Sequence, residues 1–203
     1  MLPDRLPLRW AAWLLGISLG AVATAQTETP EDATDPETLE RQLEAKFRVA
    51  EHLTFYPTVV EAVKAQNAQN LTLETIRERD EAWINSPGPT PFKRSMQFSD
   101  AGRLLRRFVQ GNNAYSEAYL TDAQGAVVGV YPLTSDYWQG DEGKWISAFN
   151  EGRGARYFSQ PNFDDSTGVV TVEVAVPVYD GEEAIGVLIL EVSQDYLDSR
   201  GDS

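Results

Sequence analysis

Residues 169–192 constrain the fold more than any other part of this chain. The valines at even positions from Val170 to Val178 alternate with a second, semi-polar set, namely Thr171, Glu173 and Ala175. Alternation of this kind places the two sets on opposite faces of an extended strand. Asp180 and Gly181 then predict a tight turn, and residues 185–192 are apolar on both faces, which is typical of a strand inside a sheet. We therefore expect an antiparallel hairpin with one face in the core.

The first half of the chain has helical periodicity. Asp35 can cap a helix that begins at Pro36, and one apolar stripe follows at helical spacing, comprising Leu39, Leu43, Phe47, Ala50 and Leu53. A proline inside a helix costs a hydrogen bond, so Pro57 predicts a break near Tyr56 before the helix resumes to about Ala68. This long helix can pack on its own sheet or on a second copy of the chain.

Two further helices and a second hairpin follow. Thr72 is expected to open a helix whose inward residues are Leu73, Ile76 and Trp83, and residues 86–91 are rich in proline and form a loop. Ser99 caps a shorter helix over residues 100–109. Residues 115–120 and 126–131 flank a turn at 122–125. Helices followed by strands predict an α+β domain, with one sheet face under the long helix and the other left for residues 134–165.

The N-terminus has the pattern of a secretory signal peptide. Arg5 and Arg9 precede an apolar stretch over residues 10–22, and residues 23–25 offer an A-x-A cleavage site. An uncleaved anchor is the alternative, although the stretch is short of the roughly 20 residues that span a bilayer. We expect residues 1–25 to be removed, residues 26–35 to be a disordered leader, residues 36–198 to form one domain, and the product to be periplasmic or secreted.

Composition excludes several classes of function. The formal net charge is −14, which disfavours binding to nucleic acid or anionic lipid. The chain has no cysteine and a single histidine, His52. Thiolate chemistry is therefore excluded, no familiar hydrolase motif is present, and we expect neither an enzyme nor a bound cofactor.

Residues 134–145 form the best candidate binding segment, because they combine aromatic rings with carboxylates. Tyr137, Trp138 and Trp145 could wall a cavity that holds an amine by cation–π attraction, or could be ordinary core. Gln139 could orient a polar ligand, and Asp136 could contact it or only form a turn. Asp141 and Glu142 are expected to open a short helix.

Other candidates come from the strands. Glu173 and Glu191 each interrupt an apolar strand, so each either faces a cavity or lies at an exposed edge. Tyr119 could place its hydroxyl at the same cavity. Asp164 and Asp165 either close it or form an Asx turn.

The order of these pieces resembles the Cache sensor domains, the extracytoplasmic PAS-like group also called PDC sensors. The resemblance rests on the turn at 121–125, the segment 134–145, Phe163-Asp164-Asp165-Ser166-Thr167, residues 177–181 and residues 185–187. It implies a long N-terminal helix packed on a five-stranded antiparallel sheet whose other face holds a small ligand. It also implies an arginine for amino-acid carboxylates, yet residues 133–143 contain none, so only Arg153 or Arg156 could supply it.

Together these observations predict an exported, non-enzymatic sensor protein for a neutral or cationic organic molecule. Its expected output is contact with a membrane-bound signalling protein, and a homodimer through the N-terminal helix is an open alternative. A competing hypothesis is a calcium-binding or purely protein-interaction module of the periplasm, because several carboxylates could supply oxygen ligands.

Overall fold

A computed structural model describes residues 36–164 and 168–201. The expected signal peptide, the leader and Asp165 lie outside the described residues. The described part is an α+β domain, as predicted. Helices come first in the chain and an antiparallel sheet follows.

The long N-terminal helix is divided at the predicted place. Helix α1 spans Pro36–Thr54 and helix α2 spans Pro57–Asn67, with Pro57 at the start of the second. The apolar stripe of α1 is buried against the sheet, where it joins the valines of the long hairpin in one core. Of the two alternatives for this stripe, packing on the chain's own sheet is therefore the one observed.

Three capped helices follow. Helix α3 spans Leu73–Asn85, α4 spans Pro91–Gln97 and α5 spans Asp100–Gln110. The hydroxyls of Thr72, Thr90 and Ser99 each accept a backbone N–H at the start of the helix they precede. Helix α4 was not predicted, since its seven residues are too few for a periodic pattern. Leu73 was predicted to face inward, but it is 40% exposed because it occupies the first, outer turn.

The sheet is antiparallel and contains one strand more than predicted. Its strands are β1 (Tyr115–Thr121), β2 (Val127–Tyr131), β3 (Tyr157–Phe158), β4 (Asn162–Asp164), β5 (Val169–Asp180) and β6 (Glu183–Ser193). The order is β2-β1-β6-β5-β3, and β4 pairs with the beginning of β5. The short strands β3 and β4 thus share one edge of β5, whereas β6 lies at the centre, as its apolar sequence predicted.

The two faces of the sheet have different cover. Valines Val172 to Val178 of β5 face α1, and this face is closed. The other face is covered by α3, α4, helix α6 (Gly143–Phe149) and the segment before α6. That second cover is incomplete, and the gap beneath it is a cavity.

Candidate ligand cavity

The cavity has a volume of about 630 Å³ and lies between the sheet and the segment that joins β2 to α6. This volume is within the range of small-molecule sites in proteins. Its described lining residues are mostly polar: Glu117, Tyr119, Thr134, Ser135, Asp136, Gln139, Glu142, Lys144, Ser159, Asn162, Phe163, Thr171, Glu173 and Glu191. The cavity therefore suits a charged or strongly polar guest.

Three glutamates form a row across the floor of the cavity. Glu117 of β1 is the register partner of Glu191 of β6, and Glu191 is the partner of Glu173 of β5. Directly opposed residues have Cβ atoms only about 4.5–5.5 Å apart, and like charges at such positions repel. The row brings three carboxylates together in the middle of a sheet, which costs stability unless positive charge compensates it.

The central glutamate is held by hydroxyl groups. The Thr171 hydroxyl lies 3.3 Å and the Ser116 hydroxyl 3.5 Å from one carboxylate oxygen of Glu191. Ser116 reaches it because the register of β1 against β6 shifts between Tyr115 and Glu117. Glu191 is thus fixed in position with its carboxylate on the cavity wall.

Tyr119 lies next to this row, two residues along β1. Its side chain is 1% exposed, and its pKa is raised well above the ordinary value by burial and by the surrounding carboxylates of Glu117, Glu173, Glu191 and Asp136. No hydrogen bond joins the Tyr119 hydroxyl to another described residue. A buried hydroxyl on a cavity wall is available to a ligand.

Lys144 supplies the ammonium group of the described lining. It projects from α6, and its Nζ lies 2.5 Å from Glu173 Oε1 and 5.7 Å from the centre of the Tyr119 ring. Burial alone would lower the pKa of Lys144, but Glu173, Glu142 and Glu191 outweigh it and raise the pKa above the ordinary value. Lys144 therefore stays charged and is bound to one end of the glutamate row.

The opposite wall is held in place by helix α3. The Asp80 carboxylate accepts the backbone N–H groups of Tyr137 at 2.8 Å and Trp138 at 3.0 Å. The Trp83 indole donates to the Thr134 carbonyl at 3.0 Å. These bonds fix the path of the segment and set which of its side chains face the cavity.

Asp136 is one of two carboxylates on this side of the cavity, and Glu142 is the other. The Asp136 side chain is hydrogen-bonded by the Gln139 amide and by the Ser135 hydroxyl. Burial raises the pKa of Asp136, and the neighbouring carboxylates of Asp80 and Glu142 raise it further. A cation beside Asp136 would stabilise its charged form.

The structure places five of the nine predicted site residues on the cavity wall. They are Tyr119, Asp136, Gln139, Glu173 and Glu191. The backbone of Asp164 lies at the end of β4, and its side chain is outside what the structure describes. Of the two predicted alternatives for Glu173 and Glu191, both residues thus face the cavity and neither lies at an exposed strand edge.

Tyr137 was predicted to wall the cavity but lies in the core. Its ring packs 5.9 Å from Trp83 and 5.1 Å from Phe92, and it is fully buried. The physical reason is that Asp80 of α3 holds the backbone N–H of Tyr137, which places the ring beside Trp83 of the same helix. Asp136 therefore lines the cavity, whereas Tyr137 belongs to the core.

Neither tryptophan of the segment lines the cavity. The Trp138 indole donates to the Gln124 carbonyl at 2.8 Å, so the ring anchors the segment to the β1–β2 turn. Trp145 stacks on Phe149 with the ring centres 4.7 Å apart, because both residues lie on the same side of α6. The predicted aromatic walls are therefore structural contacts, and the cavity is lined mainly by carboxylates, hydroxyls and amides.

Neither predicted alternative arginine reaches the cavity. Arg156 pairs with Glu44 and Glu51 of α1, and Arg153 pairs with Glu151. The sequence interpretation missed Glu117, Lys144, Ser159 and Thr171 as wall residues. Strand alternation could have identified Thr171, which shares a face with Glu173, and Glu117, which shares a face with Tyr119. Lys144 and Ser159 depend on helix packing and strand pairing.

Two properties of the described residues bear on the alternatives. None of their helices is both long enough and apolar enough to cross a membrane. Nor do their His, Asp and Glu side chains include a group of three or more arranged to hold a metal ion.

No protein-family model and no curated protein matches the sequence. Solved structures do match. The ligand-binding domain of the Campylobacter jejuni chemoreceptor Tlp3, in complex with L-valine, is 16% identical with a TM-score of 0.41, over 81% of this chain and 66% of that one. The sensor domain of the V. cholerae histidine kinase DctB is 15% identical with a TM-score of 0.44, over 80% and 57%.

The ligand-binding domain of the Pseudomonas aeruginosa amino-acid chemoreceptor PctC, in complex with GABA, is 14% identical with a TM-score of 0.44, over 80% of this chain and 58% of that one. These neighbours are Cache-type sensor domains. They are of the group that the sequence resembles, and this chain spans 57–66% of their length. At such identities the likeness concerns the backbone and says nothing about the ligand.

Proposed function

We propose that this protein is an exported binding protein that senses a small, positively charged organic molecule in the cavity above the glutamate row. The observation that carries the proposal is the charge of the wall. Among the described lining residues, five carboxylates face the cavity with one ammonium group, that of Lys144. Charges at a partly buried site interact more strongly than in bulk water, so a cation is the guest that such a wall stabilises.

The positions of the histidine, the glutamates and the lysine support binding of a ligand without its chemical conversion. The single histidine, His52, is on α1, and the apolar stripe of that helix packs on the opposite face of the sheet. The glutamates are fixed by strand pairing, and Lys144 is bound to Glu173. These groups are arranged to hold a ligand.

Export and signalling complete the proposal. The N-terminal sequence carries the basic, apolar and A-x-A parts of a signal peptide, which supports export. A protein that binds a ligand outside the cytoplasm needs a partner to report it, and we propose a membrane-bound signalling protein in that role.

A thermal-shift screen tests the proposal. Purified protein in EDTA would be heated with amines, amino acids, carboxylates and sugars, and separately with calcium. A ligand at a hundredfold excess over its dissociation constant stabilises the folded state by about 2.7 kcal/mol, which corresponds to a Tm increase of about 5–11 °C for a domain of this size. Amines should raise Tm and carboxylates should not.

The Glu191→Gln variant should reduce the shift, whereas Glu182→Gln, in the exposed turn between β5 and β6, should keep it. Shifts with calcium alone, or with carboxylates and not amines, would overturn the proposal.

A further inference from the structure

We infer that the ligand carries two or more amino groups and is an aliphatic diamine or polyamine. This inference rests on the proposed function and specifies the class of ligand for the same cavity. It follows from how many carboxylates face the cavity, from their arrangement on two walls, and from a buried hydroxyl between them.

The carboxylates come from two separate parts of the chain. Glu117, Glu191 and Glu173 belong to the floor, and Asp136 and Glu142 belong to the segment and helix start that cover it. With Lys144 included, the described lining has a formal charge of −4. One ammonium group would compensate only part of this charge and could lie against only one wall.

Tyr119 is a second observation that points to a ligand. Its side chain is nine-tenths or more buried, lines the cavity, and has no hydrogen bond to another described residue. Because Tyr119 lines the cavity, its hydroxyl can accept a hydrogen bond from a guest there. An ammonium group on the floor could donate to this oxygen and also lie beside the glutamates.

The volume is consistent with a chain rather than with a single ammonium group. At about 30 Å³ for each water-sized group, a cavity of about 630 Å³ has room for roughly twenty such groups. An alkyl chain with nitrogen at both ends can contact the floor and the cover together. A lone short amine would leave one wall to water.

A zwitterionic amino acid fits less well. Its carboxylate would need a cation, and Lys144 already lies 2.5 Å from Glu173. Arg153 and Arg156 are paired elsewhere. Placing a further carboxylate among five others would be repulsive.

The test compares ligands of matched length by isothermal titration calorimetry on the folded protein. The probes are 1,5-diaminopentane, n-pentylamine and 6-aminohexanoate, each at 50 mM and 200 mM salt. We expect the diamine to bind at least tenfold more tightly than the monoamine, to lose more affinity with added salt, and to bind far more tightly than the zwitterion.

Variants of the cover sharpen the comparison. Glu142→Gln removes one carboxylate from the cover, so the ratio of diamine to monoamine affinity should fall severalfold, while Glu182→Gln should keep the wild-type ratio. Equal affinities of the wild-type protein for diamine and monoamine, or an unchanged ratio in Glu142→Gln, would overturn the inference and leave the proposed function standing. Absence of binding by every amine would overturn both.

Discussion

Replacing the central glutamate of the row should stabilise the empty protein and weaken its binding of amines. In Glu191→Gln, the two hydroxyls that contact the carboxylate keep an oxygen acceptor, because glutamine has the same shape. What the substitution removes is the negative charge that faces Glu117 on one side and Glu173 on the other. The change therefore separates repulsion from packing.

The magnitude follows from the register. Favourable cross-strand pairs are worth about 0.2–1 kcal/mol each, and directly opposed like charges destabilise; at a cost of similar size, relief of two pairs is worth about 0.4–2 kcal/mol. Some of this gain is offset, since Glu191 also attracts Lys144. We expect a net increase of about 1 kcal/mol in the free energy of unfolding and a Tm increase of about 2–4 °C.

Urea denaturation followed by circular dichroism, without added ligand, measures this quantity. Glu182→Gln is the control, because it removes one negative charge from an exposed turn and should change stability by less than about 0.5 kcal/mol. If Glu191→Gln unfolds about 1 kcal/mol more easily than the wild type, its partners outweigh the repulsion. The row would then be a stable structural element, and the reasoning would be refuted.

Three further changes probe the cavity and its support. Lys144→Gln breaks a partly buried ion pair, so it should lower the free energy of unfolding by about 1–3 kcal/mol. The affinity for amines, measured by calorimetry, should rise, and a loss of affinity would contradict the charge argument. Asp122 is buried, its pKa is raised, and one of its oxygens accepts two backbone N–H groups. Because its ionisation costs stability as pH rises through that pKa, the stability of Asp122→Asn relative to wild type should increase from acidic to neutral pH in urea titrations. A difference that does not change with pH would refute this prediction. Gly125→Ala would place a methyl group 2.3 Å from a backbone nitrogen at a positive φ, and it should lower the free energy of unfolding by more than about 2 kcal/mol. In Gly181→Ala the methyl group meets no atom within 4 Å, so the loss should be about 1 kcal/mol. Equal losses of stability in thermal melts would contradict the role given to close packing.

Much of the fold could be predicted because its signals are local. The valine alternation of β5, the break at Pro57 and the caps at Thr72 and Ser99 each depend on a few neighbouring residues. Helix α4 and the short strands β3 and β4 were not predicted. Their seven, two and three residues carry too little periodic pattern, and pairing with β5 is what orders the two strands.

The residues of the candidate site likewise fall into those with a local sequence signal and those without one. Glu173 and Glu191 stand out in sequence, because each interrupts an apolar strand. Trp138 was misplaced because residue type alone does not distinguish an aromatic that lines a cavity from one that anchors a loop. The direction of its side chain depends on Asp80 of α3, which accepts the N–H groups of Tyr137 and Trp138.

The class of the fold follows from the sequence alone, because hydrophobic periodicity and helix caps act over a few residues. The sequence also singled out Glu173 and Glu191 as carboxylates within apolar strands, but it left open whether they face a cavity or an exposed edge. The row of Glu117, Glu191 and Glu173, with Lys144 at its end, is instead a product of the folded chain. These residues are far apart in the chain, and strand register and helix packing, which no local pattern specifies, bring their charges together.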